Sequence, residues 1–198
     1  MAEIDPDVAA FWEATLHHSD DMIARVRQFD PDISYDAVQR FAEQESDNVV
    51  EQGFRALVLN RTRRGGILAE GASLIRSGEN GSGIASRWYP DTIAQRLGAI
   101  AEHADRIDFR ETDGVELLRE TLISVEPSQT VVFIDPPYTA GGKRPGLRLY
   151  NHNNVDHPRL FAILAESGAD FLMTYDVSER ILELVARHNF HAVRVVMK

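Results

Sequence analysis

Val8, Phe11, Trp12, Leu16, Ile23 and Val26 recur at roughly the spacing of one helix face. This pattern predicts a helix over 7–28, opened by "DPD", which supplies an N-terminal cap and a first-turn proline. A second helix is predicted over 34–58, opened by Ser34. The stretch "NRTRRGGILAEGASLIRSGENGSGIASRWYP" that follows is rich in Gly, Ser and Arg, with only weak periodicity. A loop that long inside a domain is usually functional or mobile. Residues 91–105 again read as helix, with Ile93, Leu97, Ile100 and Ala101 on one face.

Beyond this point the rhythm changes. "RIDFRET" predicts a short strand, 114–123 a helix, "TVVFID" a buried strand and 157–167 a helix. "ADFLMTYD" predicts a strand, 178–188 a helix and "FHAVRVVM" a final strand. Strands alternating with helices imply an α/β fold with a largely parallel sheet covered on both faces. The expected organisation is an α/β core formed by 1–33 and 91–198, with 34–90 as a helical, arginine-rich insertion.

With 198 residues the chain is long enough for one domain with a real core and room for a small subdomain. It has no cysteine, which excludes disulfides and thiolate metal sites and fits a cytoplasmic protein. No apolar run approaches the roughly 20 residues of a membrane span. The acidic start "MAEIDPDV" has no apolar signal-peptide region, so no secretory leader is expected. No histidine pair has a metal spacing such as H-x-x-x-H together with a third ligand, so no metal site is expected.

The net charge of −10 argues against a nucleic-acid binder, but its distribution changes that picture. Residues 1–51 hold 13 acids and 3 arginines, and the remainder is balanced. Arg55, Arg61, Arg63, Arg64, Arg76 and Arg87 fall in a segment whose only acids are Glu70 and Glu79. On charge alone a solvated arginine loop is the simpler reading, and a phosphate grip remains compatible with it.

The chemistry concentrates in "VVFIDPPYTAGG", residues 131–142. Ligands of open parallel sheets bind at the carboxyl ends of strands, and Asp135 is the first residue beyond the predicted strand. Pro136 and Pro137 have fixed φ and no N–H donor, and each pushes its predecessor toward extended geometry. The result is a stiff turn offering carbonyl and carboxylate acceptors, followed by the aromatic face of Tyr138. That set suits an amino group on a planar ring: acceptors align on its hydrogens while the ring stacks.

With those residues in place, the chain resembles the Dam-type adenine-N6 DNA methyltransferases, whose catalytic tetrad is D/N-P-P-Y/F. "LRLYNHNNVDHPRLFAIL" is similar to the family segment after that tetrad, with Leu149, Tyr150 and His157 at the matching positions. "ADFLMTYD" resembles the family's next strand, and "LVLNRTRRGGI" its asparagine-arginine element in the region that contacts DNA. "MAEIDPDVAAFW" resembles the second cofactor motif, and "FRETDG" the segment beside the cofactor adenine. The resemblance covers nearly the whole chain.

The resemblance implies an incomplete Rossmann-like, S-adenosylmethionine-dependent methyltransferase sheet. It implies methyl transfer from S-adenosylmethionine to an adenine flipped out of double-stranded DNA. Asp135, Pro136, Pro137 and Tyr138 would be catalytic. Glu3, Ile4, Thr112, Asp113 and Asp135 would bind the cofactor, with Glu3 on the ribose hydroxyls. Asn60, Arg61, Arg63, Arg64, Lys143 and Arg144 would contact DNA, and "TAGGKRPG" would form a flexible loop over the target base. No metal is implied.

The family begins with an earlier strand and an F-x-G-x-G loop that cradles the methionine end of the cofactor. No equivalent is found in this sequence, and the end at "VVMK" also falls short of the family pattern. The expectation is therefore a truncated enzyme, one part of a split enzyme, or a domain whose partner fragment supplies the loop. The alternatives are an inactive DNA- or partner-binding remnant, and an adenine methyltransferase acting on RNA. Phe11 and Trp12 are expected in the core. Trp88 and Tyr89 suit either packing or stacking on a nucleotide. His157 is expected to open a helix with a structural hydrogen bond.

Overall fold

The computed structural model describes residues 1–29, 35–44, 46–69, 72–76, 83, 86–138 and 155–195. The chain divides into two units, Met1–Gly114 and Val115–Lys198.

In the first unit, β1 (Ala2–Glu3) leads into α1 (Pro6–His17). Asp5 caps that helix, accepting from the amides of Asp7 at 3.0 Å and Val8 at 3.4 Å. The single helix predicted over 7–28 is two helices. His18 leaves helical geometry, with φ −137° and ψ 38°, and α2 (Ser19–Gln28) starts afresh. Asp20 and Asp21 in its first turn complement the positive end of the new helix dipole.

The helix predicted over 34–58 also divides, into α3 (Tyr35–Ala42) and α4 (Val49–Thr62); Ser34 lies outside the described residues. Asn48 opens α4 by accepting from Val50 N at 2.9 Å and Glu51 N at 3.1 Å. α5 (Pro90–Ala101) ends sooner than predicted, and a 3₁₀ turn over Ala104–Arg106 takes up the remainder. β2 (Arg110–Glu111) then pairs parallel to β1, with Glu3 opposite Glu111.

Met22, Val26, Val38, Phe54, Val58, Trp88, Ile93 and Leu97 form the core of this unit. Trp88 packs 4.7 Å from the Phe29 ring and is buried, while Tyr89 is exposed. Phe11 packs against the same cluster, and Trp12 stacks on Phe109 at 6.4 Å. The segment 34–90 does not stand apart: α4 packs against α1, and Phe54 shares a core with Met22 and Leu97. Arg55 pairs with Asp7 at 2.6 Å, and Arg25 with Glu51 at 2.7 Å. The division between units falls after Gly114 and not at 34 or 90.

The second unit contains β3 (Val131–Ile134), α7 (His157–Ser167), β4 (Asp170–Met173) and α8 (Glu179–Arg187). It opens with α6 (Gly114–Ser124), whose Glu116 accepts from Arg159 of α7 at 2.6 Å. Asp156 and Ser178 cap α7 and α8, and α7 ends on Gly168 at φ 67°, a left-handed position natural to glycine. Phe161, Ile181 and Leu184 form the core, joined at its edge by Met173, Tyr175 and Phe190.

β3 pairs parallel with β4 in the register Val131↔Asp170 through Ile134↔Met173. One side of this pair meets α7 and α8. The other presents Val131, Phe133 and Leu172, at 74%, 67% and 60% exposure. The strand expected to be buried is thus covered on one face only. The final strand expected at "FHAVRVVM" is not formed over 190–195, where Val193 and Val195 are exposed. Among the described residues the molecule is a helix-rich mixed α/β protein with two short parallel strand pairs, and no sheet covered on both faces is formed. No described helix is long and apolar enough to cross a membrane.

Gly53 is where α4 comes closest to α1: a Cβ there would lie 2.6 Å from Ala10 O and 2.8 Å from Phe11 Cα. Backbone atoms cannot move aside as a side chain does. Gly53→Ala should destabilise the first unit by roughly 1–3 kcal/mol or more. Urea denaturation followed by the fluorescence of Trp12 and Trp88, both in this unit, measures this, and an unchanged midpoint would mean the helices can separate without cost.

Candidate active site

The register of β3 on β4 builds the site. Each residue of β3 faces the residue 39 places later in β4. Thr174 N continues the ladder by donating to Ile134 O at 3.1 Å. Asp135 and Thr174 are therefore the first residues off two neighbouring parallel strands, where ligands of such sheets bind. By strand alternation both leave on the side of Phe133 and Leu172, away from the helices.

Asp135 is exposed, and Pro136, Pro137 and Tyr138 are half-buried. Tyr138 turns its hydroxyl back and donates to Asp135 Oδ1 at 2.7 Å, with Thr174 Oγ1 at 3.1 Å. The Thr174 hydroxyl donates to the same Oδ1 in a short hydrogen bond. The Tyr138 ring lies 6.1 Å from that of Tyr175, tilted by 41°. The expected stacking platform is thus tied to the carboxylate through its hydroxyl. Asp135, Tyr138 and Thr174 come together here; Pro136 and Pro137 stiffen the turn that allows it.

A second layer lies behind them. His157 opens α7, as expected, and is 3% exposed; its Nδ1 sits 2.8 Å from the Tyr175 hydroxyl. Burial pushes the Tyr175 phenol above its usual range, so it keeps its proton. Burial, reinforced by Arg180, holds the His157 imidazolium below its usual range, against a smaller opposing effect of Asp156. The pair is thus a neutral imidazole and a neutral phenol. Tyr175 in turn packs near Phe161, with ring centroids 6.1 Å apart.

Of the residues expected to hold a cofactor, Glu3, Ile4, Thr112 and Asp113 lie in the first unit and Asp135 in the second. Glu3 and Glu111 end the paired β1 and β2, and Thr112 N donates to Glu3 O at 2.9 Å, so Glu3, Thr112 and Asp113 meet at one strand edge. Glu3 Oε1 accepts from the amides of Ile4 and Asp5 at 2.8 and 2.9 Å, which fixes the carboxylate. Its Oε2 makes neither bond. A fixed carboxylate beside a second acid suits the hydroxyls of a sugar, so these residues fit a ribose.

The expected DNA-contacting residues have separate roles. Asn60 Nδ2 donates to Gly66 O at 3.0 Å. Arg63 donates to Leu68 O at 2.6 Å, and Arg87 donates to Asn60 O and Arg63 O, each at 3.3 Å. These bonds brace the turn through Gly65 and Gly66, both at φ 71°. Arg61 is half-buried, its guanidinium held below the usual value by burial and by Arg87 and Arg96. Arg64 is exposed. Lys143, Arg144, Leu149, Tyr150 and the "TAGGKRPG" loop lie outside the described residues.

Sequence reasoning missed Thr174 and Tyr175, and Arg87 as a brace. The signal for Thr174 was present: it follows "FLM" as Asp135 follows "VFI", at the ends of two strands predicted for one largely parallel sheet. Among the described residues no group of three His, Asp or Glu side chains could hold a metal ion.

His157 has a folded pKa below its unfolded value near 6.5, so unfolding takes up a proton as the pH falls through that value. Its contribution is present above that pH and lost below it. His157→Gln should flatten this part of a plot of denaturation midpoint against pH between 5 and 8, while an unchanged slope would place the titration elsewhere. Compared with known proteins, the chain matches no family model and no curated protein.

Proposed function

We propose that the chain is an adenine-N6 DNA methyltransferase of Dam type. The observation that carries this reading is the Asp135–Tyr138 pair off the carboxyl end of a parallel strand, set in the D-P-P-Y sequence. Asp135 and the Pro136 carbonyl would accept from the two hydrogens of an exocyclic amine. That pulls the nitrogen toward tetrahedral geometry and localises its lone pair. The Tyr138 ring would support the flipped base, a contact worth roughly 1–3 kcal/mol. Glu3, Thr112 and Asp113 would hold the ribose and adenine of S-adenosylmethionine, which when bound supplies an electrophilic methyl group. The contribution of the protein is orientation of an amine for in-line attack.

The test is product analysis. Incubated with S-adenosylmethionine and adenine-containing duplex DNA, with the upstream strand and F-x-G-x-G loop supplied in cis or as a separate fragment, the chain should form N6-methyladenine, detected by mass spectrometry after digestion to nucleosides. Asp135→Ala should abolish the product while leaving DNA binding intact. Product surviving in that variant, or appearing on cytosine alone, would overturn the assignment.

For DNA binding, Arg64 and Arg63 should behave differently. Arg64→Ala should weaken binding and flatten its salt dependence by about one released counterion, without a change in thermal stability. Arg63→Ala removes the donor to Leu68 O and should lower stability as well. Equal effects of the two on the salt slope, with stability unchanged in both, would show that Arg63 is not a brace.

A further inference from the structure

Asp135 must offer a carboxylate oxygen to the substrate, yet nothing in the D-P-P-Y sequence fixes how that carboxylate is turned. The surroundings do. Tyr138 and Thr174 each carry one hydroxyl proton, and both hydroxyls address the same atom, Asp135 Oδ1. Thr174 Oγ1 also lies within hydrogen-bond distance of the Tyr138 hydroxyl, so the three groups form a closed triangle. A carboxylate anchored at one oxygen by two donors cannot rotate freely about its Cβ–Cγ bond. Thr174 is itself fixed by the ladder, since its amide donates to Ile134 O. The anchor therefore stands on the strand pair and not on the loop that follows Tyr138.

We infer that Thr174 is a positioning residue for the proposed methyl transfer: its hydroxyl, with that of Tyr138, ties down Asp135 Oδ1 and leaves Oδ2 to accept from the substrate amine. This rests on the reading of Asp135 as the amine acceptor. It assigns Tyr138 two tasks, with the ring supporting the base and the hydroxyl holding the acid. It also accounts for a hydroxyl residue at the end of "FLM", where the core has no use for one.

Thr174→Val keeps the β-branched shape and removes the donor, and Thr174→Ser keeps the donor. The rate of N6-methyladenine formation at saturating DNA and S-adenosylmethionine should fall about tenfold to a hundredfold in Thr174→Val, the size of one hydrogen bond to a charged acceptor. KM for both substrates and the melting temperature should stay unchanged, and Thr174→Ser should restore most of the rate. Combined with Asp135→Ala, Thr174→Val should have no further effect. In the same chain labelled with ¹³C at the aspartate carboxyls, Thr174→Val should move the Asp135 signal without any substrate present. A wild-type rate in Thr174→Val, a lowered rate that Ser does not restore, or an unmoved Asp135 signal would overturn the inference while the reading of Asp135 stands. Product formation surviving in Asp135→Ala, or none from the wild-type chain even with the upstream strand and F-x-G-x-G loop supplied, would overturn the reading itself, and the inference with it.

Discussion

The parallel pairing of β3 with β4 is the constraint on which the candidate site depends. Parallel strands end at the same edge, so two residues 39 positions apart leave the sheet side by side. A slip of one residue would send Asp135 and Thr174 to opposite faces and separate their side chains. The register is set by the covered face. Phe171 packs on Phe190 at 4.7 Å, and Met173 and Tyr175 join the cluster around Phe161. Burial on one side of the pair thus determines the polar geometry at its end.

How much of this was legible follows from how local each feature is. The stiff turn after β3 was legible because four consecutive residues specify it. Helices α7 and α8 were legible as the helical segments 157–167 and 178–188 that alternate with the strands, and the structure caps them with Asp156 and Ser178. The breaks at His18 and between Ala42 and Val49 were not, because a helical stripe survives an interruption whose neighbours stay in phase. "VVFI" was read as buried on both faces, and it is not: a continuous apolar run reports affinity for a core, not the presence of one on each side. Thr174 was the hardest, since its role depends on pairing between segments and not on any pattern within one.

The arginine segment shows a related limit of counting. Six arginines between 55 and 87 suggest a basic surface, but several guanidinium groups work inward. Arg55 is paired to Asp7 and Arg63 to a carbonyl of its own loop, and Arg87 bridges Asn60 and Arg63. Two successive glycines with positive φ leave the carbonyls of this turn without the partners that a helix or strand would give them. Long multivalent donors meet that need. A basic composition here is therefore first a device for holding an irregular turn, and only the outward-facing remainder, such as Arg64, is available to an anion.

The same accounting applies to Tyr138. A tyrosine serving only as a platform would be equivalent to phenylalanine, because stacking uses the ring. Here the hydroxyl meets Asp135 and Thr174, so the ring cannot move without disturbing the acid. In the proposed reaction base and amine would belong to one planar group, so a ring sliding against its support would carry its amine off the acceptor. Coupling the Tyr138 ring to the Asp135 carboxylate through one hydrogen bond keeps the two in a fixed relation. The prolines between them prevent the four-residue turn from absorbing the difference. The order Asp-Pro-Pro-Tyr is then a rigid spacer whose two ends are joined across the top, with Thr174 fixing the join to the sheet.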